Sequence, residues 1–203
     1  MSSPVKVVVT GPFGAGKTTF ARSLSPGGLV TTETGVSDET AALKTSTTVA
    51  LDHASVEVAP PPGAAWPARR VSLFGTPGQE RFRFTWELLA RGMDGYLVLV
   101  DASRAASVAE AAGIVAAFAR LAPAVPRLVA VSRWERPAAT RAALAQLLGT
   151  SPQALVACDP RDPAQCTAVL QVLLDGVHVL ATRPPAPAAA PTTAQPATDG
   201  APA

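Results

Sequence analysis

The sequence predicts an α/β fold: a three-layer sandwich in which a mostly parallel sheet of about six strands lies between helices on both faces. Three observations carry that prediction. Short β-branched or apolar runs recur along the chain and alternate with helix-length segments. The first of these runs leads directly into a glycine-rich turn. Hydrophobic residues make up 48% of the chain, enough to build a real core.

The elements follow in order. Residues 5–10 read VKVVVT, a short β-branched run that suits a strand buried on both faces. A helix over 17–24 is stopped by Ser25-Pro26-Gly27-Gly28. Residues 29–46 are polar, rich in Thr and Ser and without periodicity, so a long functional loop is expected there. Residues 48–59 alternate apolar and polar, the pattern of a half-exposed strand, and 69–74 form the next strand. With only a loop at 60–67 between them, these two strands are expected to pair as a hairpin.

A helix over 82–91 precedes the central strand 96–100 (YLVLV). An Ala-rich helix over 103–120, a strand over 127–131 and a helix over 137–148 follow, the last ending at Gly149. A short strand over 155–157 leads to a helix over 164–181 whose Val169, Leu170, Leu173, Leu174 and Val177 share one face. Residues 1–182 are thus expected to form one domain. Residues 183–203 are dominated by Pro and Ala and are expected to form a disordered tail.

Composition excludes some functions. The 17 basic and 15 acidic residues leave a net charge of +2, which argues against a nucleic-acid partner. Cys158 and Cys166 have no zinc-site spacing and read as buried thiols in a reducing, cytoplasmic setting. His53 and His178 stand alone and read as structural. No secretory signal, no C-terminal prenylation box and no uninterrupted apolar stretch near the roughly 20 residues of a spanning helix is visible, so no transmembrane segment is expected.

The sharpest motif is Gly11-Pro12-Phe13-Gly14-Ala15-Gly16-Lys17-Thr18, which matches G-x-x-x-x-G-K-S/T at every specified position. It sits after a buried strand and before a helix, as that motif requires. Glycines let the backbone wrap closely around phosphate oxygens. Successive N–H groups and the helix N-terminus then present positive partial charge to the anion. The predicted phosphate-binding set is Gly11, Phe13, Gly14, Ala15 and Gly16, continued into the helix by Lys17, Thr18 and Thr19. Lys17 would reach the outer phosphates, and the Thr18 hydroxyl suits a hard metal ion such as Mg2+.

The next segment, Gly75-Thr76-Pro77-Gly78-Gln79-Glu80-Arg81-Phe82, closes the third strand. Here the chain resembles the Ras-like small GTPases, which carry Asp-x-x-Gly-Gln at this point. The run Leu73–Gln79 (LFGTPGQ) is similar to the actinobacterial conservon-type subgroup, distantly related to the bacterial gliding-polarity GTPase. The resemblance spans roughly residues 5–180. It implies GTP/GDP and Mg2+ as ligands. Gly78 would donate its N–H to the γ-phosphate, and Gln79 would orient the attacking water as a catalytic residue beside Lys17. The run 45–52 resembles the switch I pattern and implies Thr48 as the second metal ligand, with Thr47 the adjacent alternative. Gly75 stands where the family has an Asp that steadies the metal.

By position, Ser132-Arg133-Trp134-Glu135 corresponds to the base-recognition Asn-Lys-x-Asp. Glu135 is the expected acceptor for the guanine N–H groups, Arg133 the residue laid against the base, and Ser132 the substitute for Asn. The last base loop would be Ala157-Cys158-Asp159, with the backbone N–H of Cys158 or Asp159 on the guanine oxygen. The resemblance also implies a Roadblock/LC7-type regulator and a membrane sensor-kinase-like partner, hence recruitment to the inner face of the membrane. Phe13, where many relatives have Gly, would crowd the γ-phosphate or exclude a partner's arginine. Arg81 and Arg83 are solvated arginines or charge supplied in cis. Phe84 and Trp86 either pack inward or form a partner surface.

Three functions therefore compete: a slow GTP-hydrolysing switch, a pseudo-GTPase that holds nucleotide without turnover, and an ATP-using protein. In the third, Asp101 would be the acidic residue ending a strand. In the first two it reads as a cap of the following helix.

Overall fold

The structure, a computed structural model, describes residues 3–25, 30–32, 51–76, 84–134 and 138–183. Among the described residues the chain runs β1 (Val5–Thr10), α1 (Lys17–Leu24), β2 (Val30–Thr32), β3 (Leu51–Val58), β4 (Arg69–Gly75), α2 (Phe84–Ala90), β5 (Gly95–Asp101), α3 (Ala105–Leu121), β6 (Arg127–Ser132), α4 (Ala138–Leu148), β7 (Leu155–Ala157) and α5 (Pro163–Thr182). A 3-10 turn, Pro152–Ala154, precedes β7.

The strands form one mixed sheet in the order β2-β3-β4-β1-β5-β6-β7. β4, β1, β5, β6 and β7 run parallel, with registers such as Val7 opposite Leu73 and Val7 opposite Gly95. β3 pairs antiparallel with β4, as the expected hairpin requires. The seventh strand corrects the expectation of about six. β2 lies in the segment read as an unbroken polar loop, where Val30 pairs with His53 and Thr32 with Leu51. Three residues at a sheet edge need only a partner's backbone, and β3 supplies it.

Two cores lie on opposite faces of the sheet. On one, Phe20, Ala21 and Leu24 of α1 and Cys166, Val169, Leu170, Leu173 and Leu174 of α5 pack on Val7, Val9, Leu97 and Leu99. On the other, Trp86 and Leu89 of α2, Ala111, Ile114, Val115 and Phe118 of α3, and Leu144 and Leu148 of α4 pack on Val8, Val98, Val100 and Val129. The alternation of neighbouring strand residues between the two clusters is the period-two geometry of a strand. It explains why β5 is buried at every position. Trp86 thus packs inward, its ring centroid 5.5 Å from that of Phe118.

α5 begins cleanly. Asp162 is its N-cap, accepting from the N–H groups of Ala164 (2.9 Å) and Gln165 (3.3 Å), and Pro163 takes the first helical position. α5 is 20 residues long and holds an 18-residue window of mean hydropathy 1.4, enough by length and composition alone to cross a membrane. Gln165, Gln171 and Asp175 interrupt its apolar run, as the absence of an unbroken apolar stretch in the sequence requires. One stripe of α5 packs on the sheet, and Asp175 accepts from the buried Trp66 indole N–H. The expected tail lies, but for Arg183, outside the described residues.

Candidate functional site

Because five neighbouring strands run parallel, the loops that follow them leave the sheet at the same end. Ligands in open α/β sheets collect in the crevice at that end. The loop after β1, residues 11–16, crosses it. Gly11 has φ +143°, and a Cβ there would lie 2.3 Å from the backbone oxygen of Leu99 in β5. Gly16 has φ +99° and is the N-cap of α1, and a Cβ on it would lie 2.8 Å from Cγ of Pro160 in the loop after β7. Both positions admit only glycine, which is why the loop can lie this close to β5 and to the β7–α5 loop.

The rest of the loop is braced by hydrogen bonds. Ala15 N–H donates to Pro12 O at 3.2 Å, and Phe20 N–H to Gly16 O at 2.8 Å. Lys17 Nζ folds back to donate to Gly11 O (2.7 Å) and Pro12 O (2.8 Å), so its charge stands over the loop. Ser23 of α1 donates through its hydroxyl to Pro160 O at 2.7 Å. Ala15 is buried, Thr18 half-buried and Thr19 exposed. Phe13 is 70% exposed and turned to solvent.

The loops after β5 and β6 meet at one carboxylate. Asp101 ends β5, and its side chain is only 2% exposed. Its Oδ1 accepts from the Ser103 N–H (3.0 Å) and the Ser103 hydroxyl (2.6 Å). Its Oδ2 accepts from Arg104 Nε (3.0 Å) and from the Arg133 guanidinium. Burial pushes the carboxyl pKa up, but the Ser103 hydrogen bonds and the two arginines outweigh it and hold the group below its usual value. Asp101 is therefore not the cap of the following helix, which the sequence suggested. Arg104 occupies the N-cap of α3, and Asp101 organises the turn before it. Arg104 also donates from Nη2 to Phe13 O at 3.1 Å, joining this cluster to the loop after β1.

The expected base-side residues fall into two groups. Arg133 has φ +52°, a left-handed backbone unusual for a residue with a side chain, and its side chain is 64% exposed. Ser132 donates through its hydroxyl to Val100 O at 3.3 Å. The two backbone donors expected to face a base are engaged within the protein: Cys158 N–H donates to Val131 O (3.0 Å) and Asp159 N–H to Gln165 Oε1 (2.9 Å). The Asp159 carboxylate is taken up by Arg161, whose hydrogen bonds lower its pKa to about 2. Arg133 also lowers it, so the guanidinium lies within electrostatic reach of both Asp101 and Asp159. Trp134 is half-buried, with the Arg141 guanidinium 4.7 Å from its ring centroid.

The structure thus brings Gly11, Phe13, Gly14, Ala15, Gly16, Lys17 and Thr18 into one loop-and-helix cradle, with Arg133, Cys158 and Asp159 at its flank. Thr48, Gly78, Gln79 and Glu135 lie outside the described residues, as do Arg81 and Arg83. Gly75 ends β4, and Thr76 beyond it donates its N–H to Val9 O at 2.9 Å. Among the described residues no group of three or more His, Cys, Asp or Glu side chains is placed to hold a metal ion. The sequence reading missed Arg104, whose one sequence signal is its position three residues after Asp101 at a helix start.

No family model matches the chain. An uncharacterized protein, MJ1339, from Methanocaldococcus jannaschii is 33% identical over 100 residues, a stretch covering 49% of this chain and 53% of that protein. The match therefore spans about half the length of each.

Proposed function

We propose that the chain is a nucleotide-dependent switch of the Ras-like P-loop type, binding GTP/GDP with Mg2+ and hydrolysing GTP slowly. The observation that carries this reading is the cradle at 11–18: a glycine loop between a central parallel strand and a helix, closed by Lys17 over its own carbonyls. The geometry suits a phosphate. Gly11 and Gly16 leave room that a Cβ would fill, and the α1 N-terminus faces the loop. Lys17 would exchange its two carbonyl partners for phosphate oxygens.

Thr18 and Thr48 would hold the magnesium ion, which supplies charge neutralisation at the outer phosphates. The residues fit it less fully than they fit the phosphate, because Gly75 offers no carboxylate. Gln79 would orient the attacking water, with Gly78 N–H toward the γ-phosphate. Ser132, Arg133 and Glu135 would flank the base. Regulation by a Roadblock/LC7-type protein and a sensor-kinase-like protein at the inner membrane face belongs to the same reading.

A second reading has its own support. Arg133 is paired with Asp101, and the Cys158 and Asp159 N–H groups are already bonded, so guanine selection has few unspent donors here. These features favour a pseudo-GTPase that holds nucleotide by its phosphates alone.

Titration of fluorescent GDP and GTP, with and without Mg2+ and against unlabelled ATP, separates these readings. The switch reading expects guanine preference, with affinity falling roughly 100-fold in Lys17→Ala as a phosphate loses its close cation. Slower GTP hydrolysis in Gln79→Leu supports turnover. Equal displacement by ATP, or hydrolysis unchanged in Gln79→Leu, overturns the switch reading.

A further inference from the structure

We infer that Arg104 is a positioning residue that sets the Phe13–Gly14 peptide for anion binding, with Asp101 holding its guanidinium in place. This inference rests on the phosphate-binding reading of the 11–18 loop. No motif marks Arg104, and it lies 91 residues from Phe13 in the chain.

Three observations fix its place. Arg104 Nε donates to Asp101 Oδ2 at 3.0 Å, and Nη2 donates to Phe13 O at 3.1 Å. The third is its position beside Gly14: a Cβ built there would lie 3.4 Å from Nη2, 3.6 Å from Nη1 and 3.8 Å from Cζ. The guanidinium therefore borders the space into which a side chain at 14 would project. Asp101 fixes it strongly. The carboxylate is almost wholly buried, anchored by Ser103 and shared with Arg133.

The consequence follows from peptide geometry. In a planar trans peptide the C=O and the following N–H point in opposite directions. Arg104 draws the Phe13 C=O to the outer side of the loop, which turns the Gly14 N–H to the inner side, where a phosphate oxygen would sit. Gly14 has φ +73°, so its own conformation does not prescribe this orientation as a β-branched residue would. Arg104 is half-exposed, with 46% of its side chain accessible, so its loss would not hollow the core. Through Nε on Asp101 and Nη2 on the Phe13 carbonyl, its assigned role is exerted on the loop.

The test uses the full chain, 15N-labelled, as wild type, Arg104→Ala and Arg104→Lys. The first readout is the set of backbone amide resonances of residues 13–16 without ligand. The second is GDP affinity, with inorganic pyrophosphate as a base-free competitor. Arg104→Ala is expected to shift or broaden the Gly14 amide and leave β5 amides such as Val98 in place. It should weaken GDP and pyrophosphate alike by about tenfold, the scale of one charge-assisted hydrogen bond, with the thermal midpoint preserved. Arg104→Lys keeps one donor and is expected to recover part of that loss.

An unmoved Gly14 amide, or affinities within twofold of wild type in Arg104→Ala, overturns the inference. Equal damage from alanine and lysine together with a lowered midpoint also overturns it, because that pattern is structural. If the wild-type chain takes neither GDP nor pyrophosphate, the phosphate-binding reading fails. The amide resonances then decide the positioning role by themselves.

Discussion

Thr76 Oγ1 donates to Thr10 Oγ1 at 2.8 Å, inside the core, where the carboxyl ends of β4 and β1 lie side by side. Both residues are buried. Replacing Thr76 by the isosteric Val removes one hydroxyl and leaves the other without that partner. Thr76→Val is expected to destabilise the fold by about 1–3 kcal/mol, and Thr10→Val/Thr76→Val to recover part of the loss, since removing both groups removes the unmet need. Urea unfolding of the two single variants and the pair, read as a double-mutant cycle, checks this. A double variant as unstable as the sum of its singles sinks it.

Gly11→Ala offers a severe contrast with a substitution at an open position. The added methyl meets the Leu99 carbonyl oxygen at 2.3 Å, and backbone cannot swing aside as a side chain can. A loss of about 3 kcal/mol or more is expected, from overpacking together with an unfavourable backbone region. The loss should appear as a lowered unfolding midpoint whether or not nucleotide is added. Full stability in Gly11→Ala would mean that the loop does not lie against β5.

Acid stability tests the Asp101 cluster. The native pKa of this carboxyl lies below its ordinary value, so its stabilisation is fully present above the unfolded value of about 3.9 and is lost as pH falls through the lower native one. Asp101→Asn should therefore flatten the acid limb of a stability profile taken from about pH 6 to about pH 2. An acid limb as steep in the variant as in the wild type would place the sensitivity elsewhere.

The two thiols should differ in reactivity. Their interaction lowers the pKa of Cys158 and, with burial, raises that of Cys166. The Cys166 Sγ also lies 3.5 Å from Pro160 O and 3.7 Å from Asp159 O. Because thiolate is the reactive form, iodoacetamide should label Cys158 before Cys166. Peptide mapping at short times reads the order directly, and Cys166 labelling first would contradict it.

Much of the fold was legible because buried strands and amphipathic helices write their period into the sequence. β5 and α5 are examples, predicted within a few residues of their bounds. β2 was not legible, since Val30–Thr32 carries no pattern of its own and forms against β3. At the site, the glycines and Lys17 were legible because their spacing is local. The Asp101 cluster was not: it joins residues 13, 101, 104 and 133, brought together only by parallel strands that end at one level. Trp86 illustrates a choice that sequence leaves open and packing decides, through Phe118.

The meeting of two loops at the Asp101 carboxylate, joined to a third through Arg104, has a consequence for how this chain tolerates change over generations. A substitution at 101 strands two arginines at once, and a substitution at 104 or 133 leaves a buried negative charge short of a donor. Drift at these positions is therefore expected to be concerted. Relatives that lose the acid at 101 should also have replaced both basic residues, and the residue at 13 should vary freely, because Arg104 binds its backbone and not its side chain.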